Sequence, residues 1–339
     1  MKDKKQKVDT VRLQNFAYGH KTASVLLAAV ELDLFSKVSE GAGTIEEIAR
    51  ALDISVLNSH RLVAACTGMG LLTKDSSNYS NAQDVEKFLV KGKRNYAGPW
   101  LLSQKWDFER WKDLADFLRS KKPTSILGGY EDYTYEKAKA LHEGTYSVSL
   151  GAGMRFARDV DMSNRSLILD IGGGSGAYCI AALQSYPHLK AIMFDLEPAC
   201  RVADEFIAQW ELSDKITTHP GDFTKDPFPS SADIMIQASN LPQYSSERLT
   251  QVFTKGFEAM KPGGEYHLVG EALDEEKGGP LGPSLWGIAE VFASSEGRSY
   301  SEKEVQKYLE EAGFIDVTIN EFIPGSLSRI TGQKPKQAT

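Results

Sequence analysis

The sequence predicts an α/β chain: a C-terminal, mainly parallel sheet covered by helices on both faces, preceded by a helical layer. Three observations carry that expectation. From residue 167 onward, short apolar runs recur at helix-length intervals, through "LILDI", "KAIMFD", "KITTHP", "ADIMI" and "GEYHLVGEAL". That spacing is the one expected of strands joined by helical crossovers. The first run passes into a glycine-rich turn, "GGGSGA", and then into a helix start. Upstream of residue 160 the pattern is helical, broken by a single short hairpin signal. A chain of 339 residues exceeds a typical single domain. The expected division is 1–95 as a winged-helix-like layer, 96–160 as a helical connector and 161–339 as the sheet domain.

Composition narrows the function classes. Hydrophobic content of 41% and charged content of 25% are those of an ordinary soluble protein. A net charge of -7 argues against a life on nucleic acid. No apolar run reaches membrane-spanning length, and the basic start "MKDKKQKVDTVRLQNF" lacks the apolar core of a signal peptide. Cys66, Cys179 and Cys200 are scattered and without a CxxC pair, which reads as reduced cysteines in a cytoplasmic protein with no metal site.

Along the first half, residues 22–37, "TASVLLAAVELDLFSK", alternate with helical period. In "TIEEIARALDI", Thr44 stands three residues before Glu47, a capping-box signal, and Ile45, Ile48, Ala49 and Leu52 share one face. "SVLNSHRLVAACTGMGLL" follows as a second helix and "TKDSSNYSN" as a hairpin tip, completing a winged-helix pattern. Such a pattern can read DNA. Asn58, His60 and Arg61 are a thin set for that task, so packing or dimerisation is the expected role. Residues 95–150 are rich in rings: Tyr96, Trp100, Trp106, Phe108, Trp111 and Phe117 suit core or subunit contacts. His142 and Tyr146 lie four apart on a predicted helix and share a face.

The glycine turn decides the second half. Gly172, Gly174 and Ala177 fit a loose G-x-G-x-x-A dinucleotide pattern, which alone is weak. Asp170 sits at the strand end just before the glycines, where it would repel a pyrophosphate and welcome a cation. Asp195 ends the second strand and can accept from two ribose hydroxyls. Asp222 and Phe223, in "GDF", end the third and suit an adenine amino group and ring. Three carboxylates around an uncharged turn fit S-adenosylmethionine (SAM) better than NAD.

On these residues the chain resembles the dimeric, class I, SAM-dependent O-methyltransferases of the caffeate, hydroxyindole and polyketide type. "LDIGGGSG" (169–176), "FDLEP" (194–198), "GDF" (221–223) and "AMKPGGE" (259–265) carry the resemblance. "ALHEGT" (140–145) and "GRSYSEKEVQKYLEEAGF" (297–314) extend it over nearly the whole chain. The resemblance implies a Rossmann-like methyltransferase domain, a dimerising winged-helix region and SAM contacts at Asp170, Gly172, Gly174, Asp195, Leu196, Asp222 and Phe223.

One stretch departs. Plant-type relatives carry K-W-x-x-H-D-W after the fourth strand, the histidine deprotonating a phenol. Here "ASNLPQY" places Ala238 at the lysine, Pro242 at the histidine, Gln243 at the aspartate and Tyr244 at the tryptophan. Glu271 keeps the acidic position that steadies the histidine in relatives. Proline abstracts no proton, and general-base help is worth roughly 10²–10⁴-fold. The expectation is therefore a nucleophile without a proton to lose: a thioether, as in the branch that methylates 4-methylthio-2-hydroxybutyrate on the way to dimethylsulfoniopropionate. No general base is expected. Tyr146, Tyr244 and Glu271 would position the reactants, and His142, Arg155, Gln237, Gln243 and Trp286 would join the two tyrosines around a small, anionic substrate. Two alternatives stand beside it: methylation of a phenolic or polyketide-like hydroxyl with His142 or Glu271 as relocated base, and a SAM-sensing, winged-helix DNA-binding regulator.

Overall fold

The computed structural model describes residues 8–122, 124–125 and 128–336; the side chains of Trp106 and Asp107 and the first seven residues lie outside that description. The chain divides into two compact units between Asp107 and Phe108. The connector expected over 96–160 is therefore split, and its long helix, Tyr135–Asp159, belongs to the second unit.

In the first unit, helices Gly19–Glu31, Leu34–Ser39, Ile45–Ala51 and Val56–Gly68 surround a core of Leu34, Phe35, Ile48, Val63 and Cys66. The capping box forms: Glu47 N–H donates to Thr44 Oγ1 at 3.3 Å, and the Glu47 carboxylate accepts from Thr44 N–H at 2.9 Å. Strands β1 (Leu72–Asp75) and β2 (Asn78–Asn81) make the antiparallel hairpin. Asn58, His60 and Arg61 are exposed beside the equally exposed Val56 and Leu57. That outer face is mixed rather than basic, which suits a protein contact better than a phosphate backbone. Helix Val11–Ala17 buries none of its residues, and Phe16 is 65% exposed.

The second unit holds β3 (Leu167–Ile171), β4 (Lys190–Asp195), β5 (Ile216–Pro220), β6 (Ala232–Ala238), β7 (Met260–Gly270), the short pair β8 (Ala272–Leu273) and β9 (Tyr300–Ser301), β10 (Ile315–Ile323) and β11 (Leu327–Gln333). Seven of them form one sheet in the order β10-β11-β7-β6-β3-β4-β5. The five from β7 to β5 run parallel, and the last two close the edge as an antiparallel hairpin. Strand alternation sends Ile168 into one apolar layer, with Phe156, Ile180 and Met193, and Leu169 and Ile171 into the other, with Phe194, Phe253 and Tyr266. The winding direction reverses between β3 and β6, the crevice where open parallel sheets bind ligands. Cys66, Cys179 and Cys200 are buried and free, as expected.

Candidate active site

Central β3 delivers Asp170 to that crevice. The residue is 1% exposed; its Oδ2 accepts only a weak bond from the Cys179 thiol at 3.6 Å, and Oδ1 has no partner. Burial, with the Asp195 charge adding to it, pushes its pKa up to about 7. The turn that follows needs glycine. Gly172 and Gly174 have φ of 66° and 57°, and a Cβ on Gly173 would fall 2.9 Å from the Asp170 carboxylate.

Asp195, at the end of β4, accepts from Gly174 N–H at 2.8 Å and Leu196 N–H at 2.7 Å. Burial outweighs those two bonds and raises its pKa to about 6. Leu196 enters the site by this backbone bond and by leading into helix Glu197–Gln209. Asp222 differs. Burial raises its pKa, but Thr224 Oγ1–H at 2.6 Å, Lys225 at 3.0 Å and Thr224 N–H at 2.9 Å together hold it low. An adenine amino group would share this carboxylate with Lys225. Phe223 is buried, edge-on to Tyr244 at 5.2 Å, and its ring is one of the two groups a Cβ on Gly172 would strike.

An aromatic wall stands opposite. Tyr130 and Tyr133 meet edge to face at 5.0 Å; Gln243 Nε2 donates to Tyr130 Oη at 3.3 Å, and Tyr133 Oη lies 2.9 Å from His142 Nε2. The His142 ring lies against Gly174, where a Cβ would come within 2.8 Å. Burial lowers its pKa to about 4, so the imidazole is neutral throughout the physiological range. Pro242 is buried in the 3-10 turn Leu241–Gln243. Glu271, just beyond β7, is buried with Oε2 unpartnered; burial, opposed by a Ser239 hydrogen bond and reinforced by Glu290, pushes its pKa up to about 7. Glu290, on helix Leu281–Ala293, is likewise raised by burial.

Four expected substrate residues are placed otherwise. Tyr146 stacks on Phe206 at 4.0 Å and accepts from Trp210 Nε1 at 2.5 Å, so its ring and hydroxyl are committed to helix Glu197–Gln209 and its C-cap. Arg155 pairs with Asp159 one turn along its own helix at 3.3 Å, a partly exposed ion pair. Gln237 is fully buried between Tyr266 and Asn240. Trp286 is 50% exposed, one turn before Glu290, outside the buried cluster. Arg298 is held by Glu304 at 2.9 Å. Tyr130, Tyr133, Glu290 and Asn240 join the site without being anticipated. The ring-rich "GGYEDYTYEK" was a compositional signal for the tyrosines; a helical Glu290 and a loop Asn240 carried none.

The described residues fit SAM. The unpartnered Asp170 Oδ1 suits an ammonium, the Asp195 carboxylate suits ribose hydroxyls, and the rings of Phe223 and Tyr244 suit a base or a cation. When bound, SAM supplies an electrophilic methyl group on a sulfonium sulfur.

Comparison with known proteins agrees with this geometry. A family model described as an O-methyltransferase domain matches residues 111–315, and one described as an O-methyltransferase dimerisation domain matches 14–91. The chain is 27% identical over 327 residues to a 3-hydroxy-5-methyl-1-naphthoate 3-O-methyltransferase of Streptomyces sahachiroi, covering 95% of this chain and 94% of that one. It is 28% identical to the N,N-dimethyltransferase OxyT of Streptomyces rimosus, over 86% and 87% of the two chains. Human N-acetylserotonin methyltransferase, solved in complex with SAM, superposes with a TM-score of 0.80 at 23% identity, over 99% of this chain and 100% of that one.

Proposed function

The chain belongs to the O-methyltransferase family, and from that premise we propose that it transfers the SAM methyl group to a thioether sulfur. It is a SAM-dependent methyltransferase with a Rossmann-like catalytic domain. The choice of sulfur rests on one observation: the position where plant-type relatives carry the base is a buried proline, while Glu271 and Glu290 remain as acids. A thioether lone pair attacks without losing a proton. The S–CH₃ bond forms as the donor sulfonium bond breaks, and positive charge passes from one sulfur to the other. Carboxylates and the faces of Tyr130 and Tyr244 favour that charge before and after transfer. A thioether acid such as 4-methylthio-2-hydroxybutyrate would have its own carboxylate held by neutral donors such as Gln243, because Arg155 and Arg298 are committed elsewhere. Incubation with SAM and a panel of this acid, its methyl ester, a catechol and a phenol tests the reading by product mass. The acid is expected to give a sulfonium; a methylated phenol beside an untouched thioether would overturn it.

A second reading has its own observation. Glu271 is buried, has an unpartnered oxygen and sits near the pKa best suited to a general base. That favours a hydroxyl acceptor with Glu271 as relocated base. His142 is the weaker base because burial keeps it from binding a proton at neutral pH. The regulator reading loses ground on the mixed outer face of helix Val56–Gly68.

The protein acts as a two-fold homodimer in this proposal. Support comes from the match to a dimerisation domain and from a first helix that buries nothing and exposes Val11, Leu13 and Phe16. Light scattering at micromolar concentration should give twice the 37.4 kDa chain mass. A stable monomer there would contradict it.

A further inference from the structure

Asn240 is a buried polar residue that the family resemblance does not assign; it falls on one of the two unspecified positions before Pro242. It is 7% exposed, and its Nδ2 has no hydrogen-bond partner. A chain of forced roles fixes which way its amide points. Tyr266 is fully buried, and burial lifts its pKa so far that it stays protonated, so its O–H donates to Gln237 Oε1 at 2.5 Å. Gln237 must then present Nε2 on its other side, where it donates to Asn240 Oδ1 at 2.7 Å. Flipping either amide would strand the tyrosine proton or set two acceptors face to face. The free valence left at the end of this relay is an N–H donor.

The relay delivers that donor to the glycine turn. A Cβ on Gly172 would come within 2.7 Å of Asn240 Nδ2, and a Cβ on the next residue, Gly173, within 2.9 Å of the Asp170 carboxylate. An unpartnered donor and the Asp170 carboxylate, whose Oδ2 is the oxygen nearest Gly173 and whose Oδ1 has no partner, thus flank two consecutive glycines. Asp170 alone would welcome an ammonium and repel a carboxylate on the same carbon. With a donor beside it, the turn matches both ends of an α-amino acid.

We infer that Asn240, oriented by Tyr266 and Gln237, reads the carboxylate of the amino-acid end of the cofactor, while Asp170 takes its ammonium. The inference rests on the SAM reading. Its test is calorimetric: binding of SAM and of decarboxylated SAM, which keeps the ammonium and lacks the carboxylate, to the wild-type dimer, Asn240→Leu and Tyr266→Phe. Asn240→Leu should weaken SAM by about 10- to 100-fold, the range for a hydrogen bond to a charged group, and decarboxylated SAM by about twofold or less. Tyr266→Phe, which removes one hydroxyl and frees the amide to flip, should show the same selectivity with a smaller loss. Equal losses for both ligands would make Asn240 merely structural and overturn the inference. So would unchanged SAM affinity with a raised KM for the methyl acceptor, which would assign the donor to that molecule. If the wild type binds neither ligand, the cofactor reading itself fails. Thermal melts of both variants separate lost recognition from lost folding.

Discussion

Replacing Asp170 with asparagine should weaken SAM binding at pH 8 by about 10- to 100-fold, because a charged acceptor, unpaired with any cation among the described residues, is exchanged for a neutral one. The same substitution should flatten the pH dependence of binding. In the wild type, Asp170 and Asp195 are held protonated to about 7 and about 6, first of all by burial. A cationic ligand favours their ionised forms, so binding releases protons below those values, and affinity should rise about tenfold per pH unit for each proton released. Calorimetry at pH 6 in buffers of different ionisation enthalpy counts those protons. No release, or an Asp170→Asn variant with wild-type affinity at pH 8, would remove Asp170 from the cofactor site. Linkage also fixes the sign of a stability effect. The folded, ligand-free protein holds these protons to higher pH than the unfolded chain does. Its stability therefore falls as pH rises from the ordinary carboxylate range towards 7, and the loss is complete above about 7. Asp170→Asn removes its share of that penalty, so the free variant should melt higher than the wild type at pH 8 while binding cofactor worse.

Glu271→Gln separates the two acceptor readings by orders of magnitude. With a thioether acceptor, single-turnover methyl transfer should be nearly flat from about pH 7 to 9, and the variant should stay within about tenfold of the wild type. No proton leaves the nucleophile, and the carboxylate faces similar charge before and after transfer. With a hydroxyl acceptor and Glu271 as base, the rate should climb through a limb near 7, the value to which burial pushes this carboxyl. Glu271→Gln should then lose the limb and roughly 10²–10⁴-fold in rate. Single-turnover conditions matter because product release would mask either profile. Burial lowers the His142 pKa to about 4, so a limb near 7 that is lost in Glu271→Gln points to Glu271.

Much of the fold was legible in the chain because its signals are local. Runs such as "LILDI" and "ADIMI" announce buried strands, Thr44 with Glu47 announces a helix start, and "GGGSG" announces a turn that a side chain would block. Strand ends are legible too, and in a parallel sheet the strand ends are where ligands bind. That rule singles out Asp170, Asp195, Asp222 and Phe223 from their places at strand ends alone.

Local patterning is therefore enough for the class of fold, the carboxylates at the mouths of three strands and the proline where a base would stand. Tertiary structure alone decided which side chains are free to act. Tyr146 and Arg155 looked available on a helix face, yet stacking on Phe206 and pairing with Asp159 hold them. Gln237 looked like a substrate contact, yet Tyr266, 29 residues away in the chain, turns it into a lever on Asn240. Glu290 joins Glu271 from a separate helix, and the sequence between them gives no hint of the meeting. Periodicity reports which face of an element is buried. Hydrogen-bond partners, and the pKa shifts that burial imposes, depend on residues brought together from distant parts of the chain.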